Sequence, residues 1–366
     1  MLQLKKKLVV VVGTRPEVLK MAPVVEAFQK SGQSFHFVHS GQHSDYNMCM
    51  RFVRELDLPN PVRLPAEVGS DISAAQTAKI MIAMENLIRR TKARLVLVQG
   101  DTNTVLGATL ASLKQRVDVG HVEAGLRSYD WRMPEEHNRR MVDHVSKLLF
   151  APTIVSKRTL LHESVLGRIF VTGNTIIDTV TKMMPMAEKS SDILSKVDFN
   201  EFVLATTHRV ENVDNKETLS NIVGAFMECT LPVVIPIHPR TQNRLHAFGL
   251  YKKLAHCKNI ALLPPLGYLD FLMLMKNCKV IVTDSGGLQE EASSPSIRKP
   301  VVVIRESTDR PEAVQAGLAI VVGTRRERIL KGVQSMICKR RLPFRFPYGK
   351  GTAGQKIAKI LRKELE

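Results

Sequence analysis

Short runs of apolar residues alternate with longer amphipathic stretches along almost the whole chain. In the first half the runs are Leu8–Val12, Phe35–His39, Leu95–Val98, Val117–His121, Leu148–Ala151 and Ile169–Val171. Between them lie segments of helical period such as Ala74–Arg90 and Met133–Lys147. Near-continuous Val/Leu strands belong to a sheet buried on both faces, so the order predicts a parallel sheet covered by helices. The alternation pauses over the polar stretch Met183–Asn200 and restarts with Phe202–Ala205, Val233–Ile237, Ile260–Leu263, Val280–Val282, Val301–Ile304 and Ala319–Val322. Pro347-Tyr348-Gly349 breaks the pattern, and Ala353–Leu365 reads as a last helix returning to the first half.

The fold class expected is α/β, with two doubly wound Rossmann-like domains facing a central cleft. Residues 1–180 would form the first, joined by the helix within 352–366, and residues 181–351 the second. In such sheets ligands bind beyond the carboxyl ends of the strands, which is where the polar motifs should fall.

Composition narrows the class. At 366 residues, with 44% hydrophobic and 24% charged, the chain can bury two ordinary cores. Five cysteines without a C-x-x-C pair point to free thiols in a cytoplasmic setting rather than a disulfide framework or zinc ribbon. Lys5–Lys7 before Leu8–Val12 imitates a signal peptide, but the apolar run is too short and no small-residue cleavage site follows. No stretch approaches the roughly 20 apolar residues of a membrane span. The net charge of +18 raises the question of nucleic acid, particularly since residues 323–366 carry 13 Lys/Arg against 3 acidic residues. Aromatics are only 5%, and no basic run is interleaved with stacking residues. A basic surface that attracts a small anionic substrate is the simpler reading, without nucleic acid or membrane as partner.

The motifs follow the strands. Gly13-Thr14-Arg15-Pro16-Glu17, with Lys20 beyond, turns from strand to helix and brings Arg15 to a helix N-terminus, suited to an anion. It is not G-x-G-x-x-G, so no nicotinamide cofactor is indicated, and no metal site is expected. Gln99-Gly100-Asp101-Thr102 offers Asp101 as a proton-transfer group or, alternatively, as a helix cap. In His121-Val122-Glu123, residues 121 and 123 share a strand face if the strand reaches that far, and a buried satisfied histidine is the alternative. Met133-Pro134-Glu135-Glu136-His137-Asn138-Arg139-Arg140 opens a helix in which Glu135–Arg139 and Glu136–Arg140 have i,i+4 spacing, as surface ion pairs also would. Thr206-Thr207-His208-Arg209 supplies His208, which titrates near neutral pH. Pro236-Ile237-His238-Pro239-Arg240 is a further polar turn. In Thr283-Asp284-Ser285-Gly286-Gly287-Leu288-Gln289-Glu290-Glu291, a Ser-Gly-Gly turn suits a diphosphate and the carboxylate further along suits a ribose diol. Arg310 stands beside another helix start.

Taken in order, these motifs resemble those of the non-hydrolysing UDP-N-acetylglucosamine 2-epimerases, and Thr-His-Arg-Val-Glu-Asn resembles the archaeal members. The resemblance runs from about residue 8 to the C-terminal helix. It implies the two-domain fold of the B-type glycosyltransferases, a homodimer, a UDP-sugar substrate, no cofactor, and interconversion of UDP-GlcNAc and UDP-ManNAc. It also implies acid–base roles for Asp101, Glu123, Glu135 and His208, and substrate contacts from Arg15, Lys20 and Arg139. Phe271 and the backbone near Leu266 would hold uracil; Ser285, Gly286, Gly287 and Arg310 the diphosphate; Glu291 the ribose.

Several positions depart from the family pattern. Asp309 stands where Glu is usual, Lys350 where an acid is usual, and the loop Ser293–Lys299 is slightly long. Bacterial relatives bind a second, regulatory UDP-GlcNAc. Gln42, His43, Arg209 and His238 are retained from that site, whereas Asp45 and Val210 replace residues that help form it. Weak or absent activation is the expectation.

The chemistry fits the residue types. The C2–H of a closed hexose becomes acidic once the C1–O bond to UDP breaks, so elimination and re-addition can invert C2 without an oxidant. Such a path needs cations on the leaving diphosphate and acid–base groups near C2. Alternatives on the same motifs are an epimerase of another UDP-acetamido sugar, a hydrolysing 2-epimerase, and a glycosyltransferase of this fold.

Overall fold

The computed structural model describes residues 8–42, 46–65, 73–339 and 341–366. The chain divides into two compact units, Met1–Thr179 with Gly349–Glu366, and Val180–Tyr348.

The first unit is built on seven parallel strands: β1 (Leu8–Val12), β2 (Phe35–His39), β3 (Val62–Arg63), β4 (Leu95–Gln99), β5 (Asp118–Val122), β6 (Leu148–Ala151) and β7 (Arg168–Val171). Their spatial order is β3-β2-β1-β4-β5-β6-β7. All five residues of β1 are buried, as are all five of β4. Helices cover both faces at these central strands, which is why they read as continuous apolar runs. Val9, Val11, Val96 and Val98 pack with Ile80, Met84 and Ile88 of the helix Ser73–Thr91 and with Ala108 of the helix Asn103–Lys114.

The second unit carries six parallel strands: β8 (Val203–Thr206), β9 (Val233–Pro236), β10 (Ile260–Leu263), β11 (Val280–Thr283), β12 (Val301–Val303) and β13 (Ala319–Val321). Their order is β10-β9-β8-β11-β12-β13. Val203, Val280, Val282 and Val302 form one core with Phe226, Ile329 and Val333.

In both sheets the order reverses once, between β1 and β4 and between β8 and β11. At such a switch point the connections leave in opposite directions, and a crevice opens beyond the strand ends. The turns at Gly13 and Gly100 follow β1 and β4, and those at Thr207 and Asp284 follow β8 and β11. Each sheet thus puts two of the sequence motifs side by side.

The helix Ala353–Leu365 buries Ile357, Ala358, Leu361 and Leu365 and packs on the helix Arg15–Lys30. Its first turn is capped from elsewhere: the Ala353 and Gly354 N–H groups donate to the Asp178 carboxylate at 3.1 and 2.9 Å. The polar stretch at Met183 is not a pause in structure. The helix Thr175–Ser190 runs through it, burying Met183, Met184 and Ala187 on one side, and a 3-10 turn follows at Ile193–Lys196. Among the described residues no helix is long and apolar enough to cross a membrane, and no group of three or more His, Cys, Asp or Glu could hold a metal ion.

Candidate active site

In the first unit the turn after β1 is shaped by close approach. A Cβ on Gly13 would lie 2.0 Å from the Thr104 hydroxyl and 2.4 Å from that of Ser40, so only glycine fits. Thr14 caps the helix Arg15–Lys30 in a capping box with Glu17. Arg15 is half-buried, its guanidinium 4.7 Å from the centre of the Phe52 ring.

One turn further on, Lys20 is 8% exposed and its Nζ donates to both oxygens of Glu123, at 2.5 and 2.7 Å. Gln99 at the end of β4 donates to the same carboxylate. Glu123 just follows β5, is 7% exposed, and holds φ at +73°. That left-handed backbone costs a non-glycine residue on the order of 1–3 kcal/mol and persists only where the surroundings enforce it. The strain, the burial and the paired lysine place one carboxylate in a fixed position one strand from the sheet's switch point.

Asp101 lies one residue past Gly100, with two donors from Arg139 at 2.8 and 2.7 Å. The helix that follows is capped by Thr102, not by Asp101. Arg139 comes from the helix Pro134–Val145 and also reaches Glu136 at 3.2 Å. The i,i+4 expectation therefore holds for Glu136–Arg140, at 3.3 Å, whereas Arg139 is directed to Asp101 and Glu136. Glu135 is exposed on the first turn of that helix. Glu136 is fully buried; burial opposes its ionisation, but the Ser128 N–H and the Arg139 charge outweigh this and lower its pKa.

His121 lies inside the unit. Its Nδ1 faces the Asp143 carboxylate at 2.7 Å and its Nε2 the Gly100 carbonyl at 2.8 Å. Both partners are acceptors, so the ring holds the Gly100 peptide beside Asp101 rather than presenting a nitrogen to a ligand. Burial alone would raise the pKa of Asp143, yet His121 and Arg127 together lower it.

In the second unit Asp284 is the organising residue, and its role could not be read from the sequence. Fully buried at the end of β11, its carboxylate accepts the Thr207 hydroxyl at 2.7 Å, the His208 and Arg209 N–H groups at 3.0 Å each, and the Asn212 amide at 3.0 Å. The whole Thr207–Arg209 turn is folded around it. His208 is partly exposed, its Nδ1 3.3 Å from Asp284 and its ring centre 5.4 Å from that of His238. Burial, then the charge of His208, lowers the pKa of His238, whose Nδ1 accepts the Arg240 N–H.

Ser285 stands at the N-cap position of the short helix Gly286–Ala292 without a side-chain capping hydrogen bond. A Cβ on Gly286 would come within 3.2 Å of Asp309 Oδ1 and 3.5 Å of the Arg310 guanidinium carbon, so the turn is packed against that arginine. Gly287 is more open, its nearest neighbours being Glu291 and Ser285 at 3.9 Å. Arg310, 6% exposed, donates to Glu290 and lies 3.0 Å from Asp309. Asp309 also meets Arg305 at 3.1 Å, so the shorter acid serves two arginines. Glu291 is 8% exposed and accepts the Tyr268 hydroxyl at 3.2 Å; Leu266 and Phe271, flanking the start of the helix Tyr268–Asn277, are half-buried.

The residues of the expected regulatory site are only partly described. Gln42 accepts from the backbone and hydroxyl of Thr104, at 2.9 and 2.6 Å, Arg209 donates to the Asp284 carbonyl at 3.0 Å, and Val210 is exposed. His43 and Asp45 lie outside the described residues.

The class defined by two parallel-sheet Rossmann-like units is the GT-B-type fold. A family model described as UDP-N-acetylglucosamine 2-epimerase matches residues 26–362. The chain is 44% identical over 364 residues to the UDP-N-acetylglucosamine 2-epimerase of Methanocaldococcus jannaschii, covering 97% of this chain and 98% of that one. A crystal structure of the M. jannaschii UDP-GlcNAc 2-epimerase in complex with UDP-GlcNAc and UDP matches with a TM-score of 0.89 at 42% identity, over 97% of this chain and 99% of that one. The UDP-2,3-diacetamido-2,3-dideoxy-D-glucuronate 2-epimerase of Pseudomonas aeruginosa is 34% identical over 364 residues, covering 98% and 99%. This chain belongs to the UDP-N-acetylglucosamine 2-epimerase family.

Proposed function

We propose that the chain interconverts UDP-GlcNAc and UDP-ManNAc at C2 by elimination and re-addition of UDP. The observation that carries the reading is the buried Lys20–Glu123–Gln99 group, a fixed carboxylate with a cation, in a chain alike over nearly its whole length to the M. jannaschii enzyme. The Ser285-Gly286-Gly287 turn and Arg310 take the diphosphate, Glu291 the ribose hydroxyls, and Phe271 with the backbone at Leu266 the uracil.

In the forward direction the C1–O bond breaks and its electron pair leaves with the β-phosphate of UDP. Charge-assisted contacts from Arg310 stabilise that leaving group, as cations fixed at a site of developing charge do. A base removes the C2 proton, and the C–H pair becomes the C1–C2 double bond of a glycal. A proton added to C2 from the other face and rejoining of UDP at C1 complete the inversion. Asp101, Glu123, Glu135 and His208 supply the acid and base, with Arg15, Lys20 and Arg139 as cations. Of these, Glu123 is held most tightly and Glu135 is the most open to solvent, as a group waiting for substrate would be.

The test is incubation of the purified chain with UDP-GlcNAc alone, without NAD or metal. Appearance of UDP-ManNAc supports the reading; free ManNAc and UDP as main products would make it a hydrolase. The likeness to the diacetamido-glucuronate enzyme makes that sugar the competing substrate. Higher kcat/KM on it would move the assignment to that substrate.

A homodimer belongs to the same reading. Leu106 and Leu110 of the helix Asn103–Lys114 and Met141 and Val145 of the helix Pro134–Val145 border a shallow depression of about 450 Å³. Met141 and Val145 are exposed there, part of an apolar face that a second copy would cover.

A further inference from the structure

We propose that Glu17 is a positioning residue for this reaction, joining the turn that leads into the helix of Arg15 and Lys20 to the turn that carries Asp101. The proposal rests on the functional reading above. Glu17 is 2% exposed and sits within the first unit between two loops. One oxygen accepts the Gly13 N–H and, at 3.2 Å, the Thr14 N–H, which closes the turn after β1. The other accepts the hydroxyl of Thr102, the neighbour of Asp101 in the turn after β4. Thr102 in turn caps the helix Asn103–Lys114 by accepting the Val105 N–H at 3.4 Å. A single carboxylate therefore ties together the loops on both sides of the switch point.

The ionised form fits this network, since all three neighbours donate to it. Protonation would make one oxygen a donor and reverse its bond with Thr102. That reversal lies in an accessible range: burial pushes the Glu17 pKa up to about 7, against the lowering effect of Thr102, Gly13 and Thr14, and the charge of Asp101 adds to the rise. Asp101 is the charged group from another element that bears most on it; Arg15 and Lys20 stand on its own helix. A capping glutamate at an exposed helix start would be an ordinary structural feature. This one is buried, shared with a second loop, and set beside the Asp101 turn.

The experiment compares wild type with Glu17→Gln, Thr102→Val and the double variant. Glutamine keeps the shape but must donate to Thr102, mimicking the protonated state. Because small displacements of acid–base groups cost rate, kcat should fall roughly tenfold to a hundredfold in Glu17→Gln, with UDP affinity changed less than about twofold. Thr102→Val should lose a similar factor, Thr102→Ser should restore activity, and the double variant should lose no more than either single change. The kcat profile of Glu17→Gln should lack an inflection near pH 7 that wild type shows. Wild-type kcat and pH profile in Glu17→Gln, or additive losses in the double variant, would overturn the proposal.

Melting temperature gives a readout independent of turnover. A folded-state pKa raised above that of the unfolded chain favours folding below the unfolded value, and this contribution is lost as pH rises through the folded one. The Tm of wild type relative to Glu17→Gln should therefore drop as pH rises from about 4.5 to about 7. A Tm difference that does not change with pH would contradict the buried network. A wild-type chain that turns over none of the UDP-sugars would overturn the functional reading instead, leaving the Tm comparison to decide on the network.

Discussion

Glu123 combines a left-handed backbone, burial and a doubly bonded lysine, and each constraint depends on the others. Replacing its carboxylate by an amide leaves the shape but removes both its proton-accepting capacity and the charge that Lys20 faces. Glu123→Gln should lower kcat by roughly a hundredfold or more, with UDP binding much less affected, as steady-state kinetics and calorimetry would show. Near wild-type turnover would remove Glu123 from the chemistry. Asp284 makes a different prediction. Its carboxylate accepts from four groups of the Thr207–Asn212 segment, so Asp284→Ala leaves several buried donors unpaired. Stability should fall by on the order of 3 kcal/mol in a denaturant melt, with loss of activity although Asp284 need not touch the sugar. At this scale the sequence identified the polar turns but not their centres. Asp284, Glu17, Glu136 and Asp143 each stand among other polar residues, and nothing in a linear pattern separates a buried hub from a solvated charge. His121 is the converse case: it stood out as a chemical residue, and both its nitrogens are committed to Asp143 and Gly100.

The central strands were the most legible elements, because burial on both faces writes them as unbroken apolar runs. Val62–Arg63 escaped notice, since two exposed residues leave no pattern to read. The helix Thr175–Ser190 was mistaken in part for a polar linker: Lys182, Glu188 and Lys189 are its exposed side, and only the spacing of Met183, Met184 and Ala187 marks a buried one. The last helix was legible through its stripe of Ile357, Leu361 and Leu365, though its cap, Asp178, lies 175 residues before Ala353. Leu361 is fully buried, and truncation to alanine should cost about 2–5 kcal/mol, measured as a fall in denaturation midpoint. A change of only a few tenths would mean that this helix contributes little to the first unit's core.

For the molecule as a whole, the doubled strand order explains why the motifs come in pairs. Each sheet reverses once, and each reversal gathers two loops far apart in sequence, Gly13 with Gly100 and Thr207 with Asp284. The order of motifs along the chain was legible; their pairing required the sheets. Assembly is a property of this scale as well. If a second copy covers the face around Met141, Met141→Asp should shift sedimentation from dimer to monomer while leaving the circular dichroism spectrum unchanged. A wild-type chain that sediments as a monomer at micromolar concentration would contradict that assembly. The central claim is a reaction in which C2 loses its proton and regains one from solvent. Its most direct measurement is proton NMR of the purified chain with UDP-GlcNAc in deuterated water. The account predicts that UDP-ManNAc signals grow in with deuterium at C2. UDP-ManNAc formed with protium retained at that carbon would contradict it.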